Sequence, residues 1–239
     1  MIIFKNFEGK ILDAITDLLY LLNRGYTRKL ALNTVSARYK LKSKERMILS
    51  RTVYPTKVCI SRRNRLIRRI NDLCDQVLCV DWYNVLITIN SGLLDLDLFL
   101  ASDGVLRDIR GIKGDTKKLC DVYKTTEVTL KALSSFSIKE LVIFLEKNIS
   151  YSAEYAREIS YIADKYLKIP YHIFLSSSVD KDITKYEVIS TSDSIIIDNA
   201  KKVFDLSYYT LNTIEKRVTV YAIPEDILFN SKLSSKVDS

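Results

Sequence analysis

The sequence predicts an α/β fold: a mostly parallel sheet flanked by helices, preceded by a bundle of basic helices. Two observations carry this prediction. In residues 1–76, apolar residues recur at spacings of three and four, which is typical of amphipathic helices. After residue 76, short apolar segments rich in Val and Ile alternate with helical patterns. Strands that alternate with helices favour a parallel sheet with helices on both faces.

Residues 1–76 are predicted to form three or four short helices. Thr27 and Ser43 are candidate N-caps, Gly25 is a candidate stop after the first helix, and Pro55 ends the third. The predicted helices cover residues 8–23, 26–39, 44–54 and 61–76. This outline resembles a helix-turn-helix bundle, but no segment is identifiable as a recognition helix.

Residues 77–223 are predicted to form the α/β domain, and residues 224–239 a polar tail. The first strand is a near-continuous apolar run, QVLCVDWYNVLITI, which contains Asp81 and Asn84 near its centre. Helices are predicted around residues 116–135 and over Ser152–Tyr166. Further strands are predicted at 98–102, 140–146, 171–176, 186–191, 194–198 and 203–207.

Positive charge is concentrated in the first third of the 239-residue chain. The formal net charge is +8; residues 1–80 contain 17 Lys and Arg against 6 Asp and Glu, whereas residues 81–239 contain 20 against 23. An Arg-rich run such as SRRNRLIRRI suits contacts to a phosphate backbone. A solvated helix face would explain the same run, and both interpretations stay open. The predicted nucleic-acid contacts are Arg62, Arg63, Arg65, Arg68, Arg69, Arg107 and Arg110.

The counts of His and Cys exclude several kinds of chemistry. The single His, His172, rules out a His-rich zinc site, and the four Cys form no C-x-x-C pair. No secretory leader and no apolar stretch long enough to span a bilayer is present in the sequence. We therefore expect a cytoplasmic protein with no membrane partner. A homo-oligomer is left open.

Acidic residues lie at the ends of the predicted strands, where ligands bind in a parallel sheet. Clustered carboxylates repel one another and are tolerated where a cation neutralises them. Hard oxygen ligands of this kind select Mg²⁺ or Mn²⁺. The predicted catalytic and metal-binding acids are Asp81, Glu146 and Asp193, with Asp198 as a further ligand. The predicted supporting residues are Asn84, Asp103, Asp108 and Ser150.

Each acid also has a structural alternative. Asp193 in T-S-D-S could cap the next element, and Glu146 could be an ordinary acid at a helix N-terminus. The acids and arginines of residues 103–110 could pair with one another. Asp81 is the hardest to explain structurally, because a carboxylate inside an apolar strand needs partners.

Two motifs resemble a known superfamily. VDWYNVLITI resembles the first-strand motif of the PIN/NYN-like nucleases, in which an Asp and a nearby Asn open the active site, and STSDSIII resembles their later T/S-x-D motif. Over nearly its whole length, the chain resembles largely archaeal proteins with DUF434 and DUF5616 regions. The strings that carry this resemblance are LLNRGY, KERMIL, DWYNVLIT, DGVLRD and TSDS.

The resemblance implies a PIN-like fold for residues 77–223 and a DUF434-like helical region at residues 1–76. It implies that Asp81, Glu146 and Asp193 bind the metal, supported by Asn84 and Asp198. The predicted function is a metal-dependent ribonuclease, a hydrolase in which water activated by Mg²⁺ or Mn²⁺ attacks RNA held by the basic helices. Two alternatives are a non-catalytic RNA- or ribosome-binding protein of the same fold, and a DNA-binding regulator that uses the N-terminal helices.

Overall fold

A computed structural model describes residues 1–110 and 121–229 of the chain, which fold into two compact units. The first, here called the α/β unit, contains Met1–Ile2, Arg65–Leu96 and the described residues of Arg110–Val218. The second, here called the helical unit, contains Ile3–Asn64, Asp97–Ile109 and the described residues from Thr219 onward. The start of the helix predicted at 116–135 and residues 230–239 of the predicted tail lie outside the described residues.

The described residues form regular strands and helices along most of their length. The strands are β1 (Ile2–Asn6), β2 (Leu66–Ile67), β3 (Val77–Asp81), β4 (Leu98–Leu100), β5 (Leu106–Arg107), β6 (Glu140–Glu146), β7 (Tyr171–Ser176), β8 (Val188–Ser190), β9 (Lys202–Phe204) and β10 (Val218–Ala222). The helices are α1 (Gly9–Asn23), α2 (Arg28–Arg38), α3 (Ser43–Thr52), α4 (Thr56–Arg63), α5 (Trp82–Leu93), α6 (Val122–Leu133), α7 (Ser152–Tyr166), α8 (Val179–Ile183), α9 (Ser194–Asn199), α10 (Leu206–Thr213) and α11 (Glu225–Leu228). A 3-10 turn covers Ile70–Leu73. No helix within these ranges is both long and apolar enough to cross a bilayer.

The α/β unit is organised around a sheet in which the described strands follow the order β2-β9-β8-β3-β6-β7. Each neighbouring pair in this order is parallel. The central strands β3 and β6 are apolar and almost completely buried, which explains their continuous runs of Val, Ile and Leu. Since the strands all run in one direction, their carboxyl ends meet at a single edge, here called the carboxyl edge.

The helical unit combines α1 to α4 with a small sheet of order β1-β10-β4-β5. The apolar stripe of α1, which includes Leu18 and Leu19, is buried in a core with Leu49 and Phe99. Phe7 stacks against Phe99 at 5.9 Å between ring centroids. Strands β4, β5 and β10 come from later parts of the chain, so the unit is not made of the N-terminal helices alone.

The predicted fold class is confirmed at the level of an α/β protein with mostly parallel strands, flanking helices and N-terminal helices. Thr27 caps α2 as expected, because its hydroxyl accepts the Leu30 N–H. The helix predicted over Ser152–Tyr166 has the predicted bounds.

Three predicted elements are wrong. The run at 76–89 is not one strand, because the chain turns into α5 after Asp81; α5 is buried on nearly every side, which hides its helical period. Residues 194–199 form α9 rather than a strand. The helix predicted over 61–76 is wrong beyond Arg63, since α4 covers Thr56–Arg63 and Leu66–Ile67 pair with β9.

Candidate functional site

The carboxyl edge of the α/β unit gathers most of the predicted site residues. Neighbouring strands of a sheet lie about 4.8 Å apart, so residues that end adjacent strands are close to one another. Along the strand order from β2 to β7, the residues at this edge are Arg68 and Arg69, Asp205, Thr191 and Asp193, Asp81, Glu146, and Ser176. The edge therefore passes from arginines through acids to serine.

Asp81 is the buried centre of this edge. It is the last residue of β3, is 6% exposed, and directly precedes α5. Its Oδ2 atom accepts hydrogen bonds from the Asn84 side-chain amide and from the Thr191 hydroxyl, the latter at 2.8 Å. Both donors are neutral, and among the described residues no Lys or Arg forms an ion pair with Asp81. Asn84, which the sequence predicts to support Asp81, therefore donates a hydrogen bond to it.

The surroundings of Asp81 favour its neutral form. Burial raises the pKa of this carboxyl group to about 6, and the negative charges of Asp193 and Asp180 act in the same direction. The hydrogen bonds from Asn84 and Thr191 oppose this shift without cancelling it. The ionised form of Asp81 would therefore gain from a nearby cation.

Asp193 has a structural role as well as a place beside Asp81. Its Oδ1 atom accepts the Ile195 N–H at 2.7 Å and thereby caps α9, which is the alternative recognised in the sequence. Its own N–H donates to the Thr191 hydroxyl at 3.1 Å. Thr191 therefore connects the loop of Asp193 to the Asp81 carboxylate.

Asp180 is a neighbour of Asp81 that the sequence analysis missed. It is exposed on α8, a short helix that packs against β3 and β6. Asp180 follows the end of β7 by four residues. Ligands bind after the ends of parallel strands, so the strand predicted at 171–176 is the sequence signal that points to Asp180.

Asp193 and Asp180 are the acids with the largest effect on the pKa of Asp81. Glu146 and Asp198 have the following positions. Glu146 ends β6 in a half-buried position, and its Oε1 accepts a hydrogen bond from the Asn148 amide at 3.2 Å. In the sheet Asp81 is opposite Phe144, so Glu146 lies two residues beyond that level. Asp198 is exposed in α9. Ser150 is exposed in the turn between β6 and α7.

Asp103 and Asp108 belong to the helical unit and not to the carboxyl edge. Asp103 is fully buried, and it pairs with Arg62 at 2.7 Å and with Arg107 at 2.6 Å. Asp108 lies 3.9 Å from the Arg51 guanidinium. Their predicted support of the metal site is therefore corrected to ion pairing within the helical unit.

Four of the predicted nucleic-acid contacts hold the structure of their own unit. Arg62 and Arg107 are 3% and 4% exposed and bind Asp103, which leaves an RNA phosphate no access to them. Arg65 donates to the carbonyls of Ile197 and Asp198 at the end of α9. Arg110 donates to the Ser91 hydroxyl and the Asn90 amide oxygen of α5. Burial excludes Arg62 and Arg107 from such contacts, whereas Arg65 and Arg110 are half-buried and their predicted contacts stay predictions.

Arg63, Arg68 and Arg69 have different positions. Arg63 is half-buried, donates to the Ser102 carbonyl at 3.0 Å, and lies 3.9 Å from Glu225. Arg68 and Arg69 are exposed and follow β2 at the carboxyl edge. They are the members of the predicted set whose placement suits a phosphate contact.

The donor set of the edge can be compared with the needs of a metal ion. Within residues 1–110 and 121–229, no group of three or more His, Cys, Asp or Glu side chains is placed to hold a metal. Mg²⁺, however, is usually bound through one or two carboxylates, with water or substrate phosphate completing its shell. Asp81, with Asp193 and Asp180 nearby, provides hard oxygen atoms of this kind. Carboxylate oxygens are of the ligand type that Mg²⁺ and Mn²⁺ prefer.

Fold and site together define an α/β protein with a parallel sheet and an acidic carboxyl edge. Residues 70–209 match the family described as "Domain of unknown function (DUF5616)", and residues 10–65 match "Protein of unknown function (DUF434)". The chain belongs to the DUF5616 family and carries the DUF434 region ahead of it. The family resemblance expected from the sequence is confirmed to this extent.

A relative matches the chain over most of both sequences. An uncharacterised protein of Methanocaldococcus jannaschii is 30% identical over 203 residues, which is 84% of this chain and 96% of the relative. The archaeal source of this relative agrees with the resemblance noted in the sequence. No solved structure matches the chain.

Proposed function

We propose that this protein is a PIN-like ribonuclease dependent on Mg²⁺ or Mn²⁺, with its site at Asp81. The observation that carries the proposal is a buried carboxylate that receives only neutral hydrogen-bond donors among the described residues and whose pKa is raised further by the charges of two acids, Asp193 and Asp180. Such a group is costly to keep ionised unless a cation accompanies it. A divalent ion at this position would remove that cost.

Each residue at the edge has a separate task in the proposed reaction. Asp81, together with Asp193 or Asp180, would hold the ion. Asn84 and Thr191 fix the Asp81 carboxylate through Oδ2, and among the described residues Oδ1 accepts no hydrogen bond. When bound, the ion would supply Lewis acidity toward a phosphodiester and stabilise the negative charge that develops there.

The basic residues of the same edge support RNA as the substrate class. Arg68 and Arg69 are exposed beyond the end of β2, in the same unit as Asp81. Their charge would attract a phosphate backbone that the acids alone would repel. Water could then attack a phosphodiester held beside Asp81, and the chemistry would require no histidine.

The test is cleavage of labelled single-stranded and structured RNA with Mg²⁺, with Mn²⁺ and with EDTA. We expect cleavage that needs the metal and falls at least about 100-fold in D81N, which corresponds to about 2.7 kcal/mol of transition-state stabilisation. D193N should lose activity as well. E158Q is the matched control, since Glu158 is exposed on α7 and belongs to none of the predicted sites, and it should cleave within about threefold of the wild type. Cleavage retained in D81N would contradict the proposal.

Metal binding can also be measured apart from cleavage. We expect Mn²⁺ or Mg²⁺ to raise the melting temperature of the wild type, since a ligand that binds only the folded state stabilises it by mass action. D81N should show little of this increase. An equal increase in D81N and wild type would place the ion elsewhere.

A non-catalytic RNA-binding protein of the same fold is the second candidate. It is favoured by the absence, within the described residues, of a group of three potential metal ligands. This candidate predicts RNA binding that persists in EDTA, together with no cleavage under any of the metal conditions.

A further inference from the structure

A cavity of about 480 Å³ opens in the α/β unit where β6 and β7 end. Its volume is within the range of about 300–1,000 Å³ that is usual for ligand sites. Aromatic rings line one part of it, and Lys and Ser side chains line another. We propose that this cavity binds one unpaired nucleotide of single-stranded RNA, a subsite that rests on the proposed function and specifies its substrate.

The aromatic part of the cavity offers a surface for a base. Phe174 stacks on Phe144 with 5.4 Å between ring centroids and an angle of 28° between the rings. Tyr186 meets Phe144 edge to face at 6.0 Å. Phe174 remains 45% exposed, because β7 is the outermost of the described strands on this side of the sheet. His172 also stacks on Phe174, with 6.2 Å between ring centroids, so a base would stack on the part of the Phe174 ring that remains exposed.

The polar part of the cavity offers a site for the phosphate. Lys147 follows β6 directly, is exposed, and forms no ion pair with the described residues. Its backbone N–H donates to the Ser176 carbonyl at 2.7 Å, which fixes the start of this loop against the end of β7. The Lys147 ammonium group is thus placed at the rim with its charge available to an anion.

A second lysine at the rim is held in place by an acid. Lys185 Nζ lies 2.7 Å from Asp182 Oδ1, and the Ser176 hydroxyl donates to Asp182 Oδ2 at 2.6 Å. Asp182 therefore orders this side of the cavity while neutralising Lys185. Since Lys185 is already paired, Lys147 is the residue assigned to the phosphate.

The place of the cavity in the sheet connects it with the proposed reaction. Strand β7 is two positions from β3 in the strand order, so the cavity lies about 10 Å along the carboxyl edge from Asp81. A nucleotide bound there would extend its strand toward the acids. A base inside a duplex could not enter the cavity, which favours single-stranded segments.

The experiment measures binding without cleavage, by fluorescence anisotropy of a labelled single-stranded RNA 8-mer in EDTA. F174A and K147A should each raise the Kd for the 8-mer by about tenfold, because each variant loses one stacked base or one phosphate contact. K147A should also reduce the slope of log Kd against log salt by about 0.7. Y161A and K168A are matched controls, because both residues are exposed, Tyr161 on α7 and Lys168 before the amino end of β7, and neither should change Kd.

The outcomes separate this subsite from the proposed catalysis. The Kd values are measured in EDTA, where the proposed cleavage cannot occur, so a change in F174A or K147A does not depend on the catalysis. The affinity for duplex RNA should be insensitive to F174A. Wild-type RNA affinity in both F174A and K147A would overturn the subsite, whatever the cleavage assay shows. AMP should compete with the 8-mer, and F174A should weaken that competition. If F174A weakens AMP binding but leaves RNA affinity unchanged, the cavity is a site for free nucleotides and the proposal is wrong.

Discussion

Two buried aspartates, one in each unit, have opposite surroundings. Asp103 in the helical unit is fully buried between Arg62 and Arg107. Burial acts to raise the pKa of Asp103, but the two guanidinium groups outweigh it, and the net shift is downward. Asp81 in the α/β unit has no such partner among the described residues, and its pKa is raised to about 6.

The difference distinguishes a structural carboxylate from a candidate functional one. The charge of Asp103 is already neutralised within the fold, so a ligand has nothing to add to it. Asp81 is held by Asn84 and Thr191 in a position where its ionised form is disfavoured. A carboxyl group whose pKa is shifted in this way is typical of functional sites. The comparison therefore predicts that removing the two carboxylates has opposite effects on stability.

The largest change in the free energy of unfolding is expected for Asp103→Ala. Removing one partner of a buried ion pair leaves the other charge uncompensated, and here two arginines would lose their shared anion. We expect the free energy of unfolding to fall by about 3–5 kcal/mol, measured by urea denaturation and circular dichroism. Asp97→Asn is the control in the same unit, since Asp97 pairs with Lys44 at the surface. It should cost less than about 1 kcal/mol.

Asp81→Asn is expected to increase the free energy of unfolding in the absence of metal, by less than Asp103→Ala lowers it. The amide oxygen can still accept the hydrogen bonds from Asn84 and Thr191, while the disfavoured charge is removed. We expect a gain of about 2–3 kcal/mol at pH 7.5, since each unit of pKa shift is worth about 1.4 kcal/mol. Urea denaturation followed by the fluorescence of Trp82, the single Trp, measures it. A loss of stability at pH 7.5 would contradict the comparison.

The increase in the free energy of unfolding expected for Asp81→Asn should depend on pH. The pKa of Asp81 is raised from 3.8 to about 6 in the folded state, so the folded chain holds a proton that the unfolded chain has released over this interval. Wild-type stability should therefore fall as pH rises from about 4 to 6, and Asp81→Asn should remove this component. Asp103 behaves in the opposite way: its stabilisation is present above about pH 4 and is lost as pH falls through the lowered pKa.

The smallest effect concerns Tyr54, whose ring lies among three arginines. Arg62, Arg28 and Arg107 have their guanidinium carbons 4.2, 4.6 and 5.1 Å from the ring centroid. Tyr54→Leu should cost about 1–2 kcal/mol through lost cation–π contacts. Tyr54→Phe keeps the ring and loses only the hydroxyl bond to the Arg51 carbonyl, so it should cost about 0.5–1 kcal/mol. An equal loss of unfolding free energy in both variants would show that the cation–π contacts of the Tyr54 ring do not stabilise the fold.

The elements that could be predicted from the sequence are those with a clear period or cap. Helices α1, α2 and α7 are half-exposed, so their apolar residues recur at helical spacing, and Thr27 marks a start. Helix α5 could not be predicted this way, because it is buried on nearly every side. Strand β2 consists of two residues, and its pairing with β9 overrides the helical pattern around it.

The candidate site was predictable in part for the same physical reasons. Asp81 could be identified because a charge inside an apolar run has few structural explanations. Arg62 could not be assigned correctly, since its partner Asp103 is distant in sequence and only the fold brings them together. The pairing of Arg107 with Asp103, four residues away, was open as an alternative from the sequence. Asp180 depends on how α8 packs against β3.

The division of the chain between the two units has a consequence for its synthesis on the ribosome. The core that buries the apolar stripe of α1 includes Phe99, Ile223 and Leu228, which are translated long after that helix. The part of the apolar surface that these residues cover therefore stays exposed until almost the entire chain has been synthesised. Apolar surface that is exposed on an incomplete chain favours aggregation, and chaperones act on such surface.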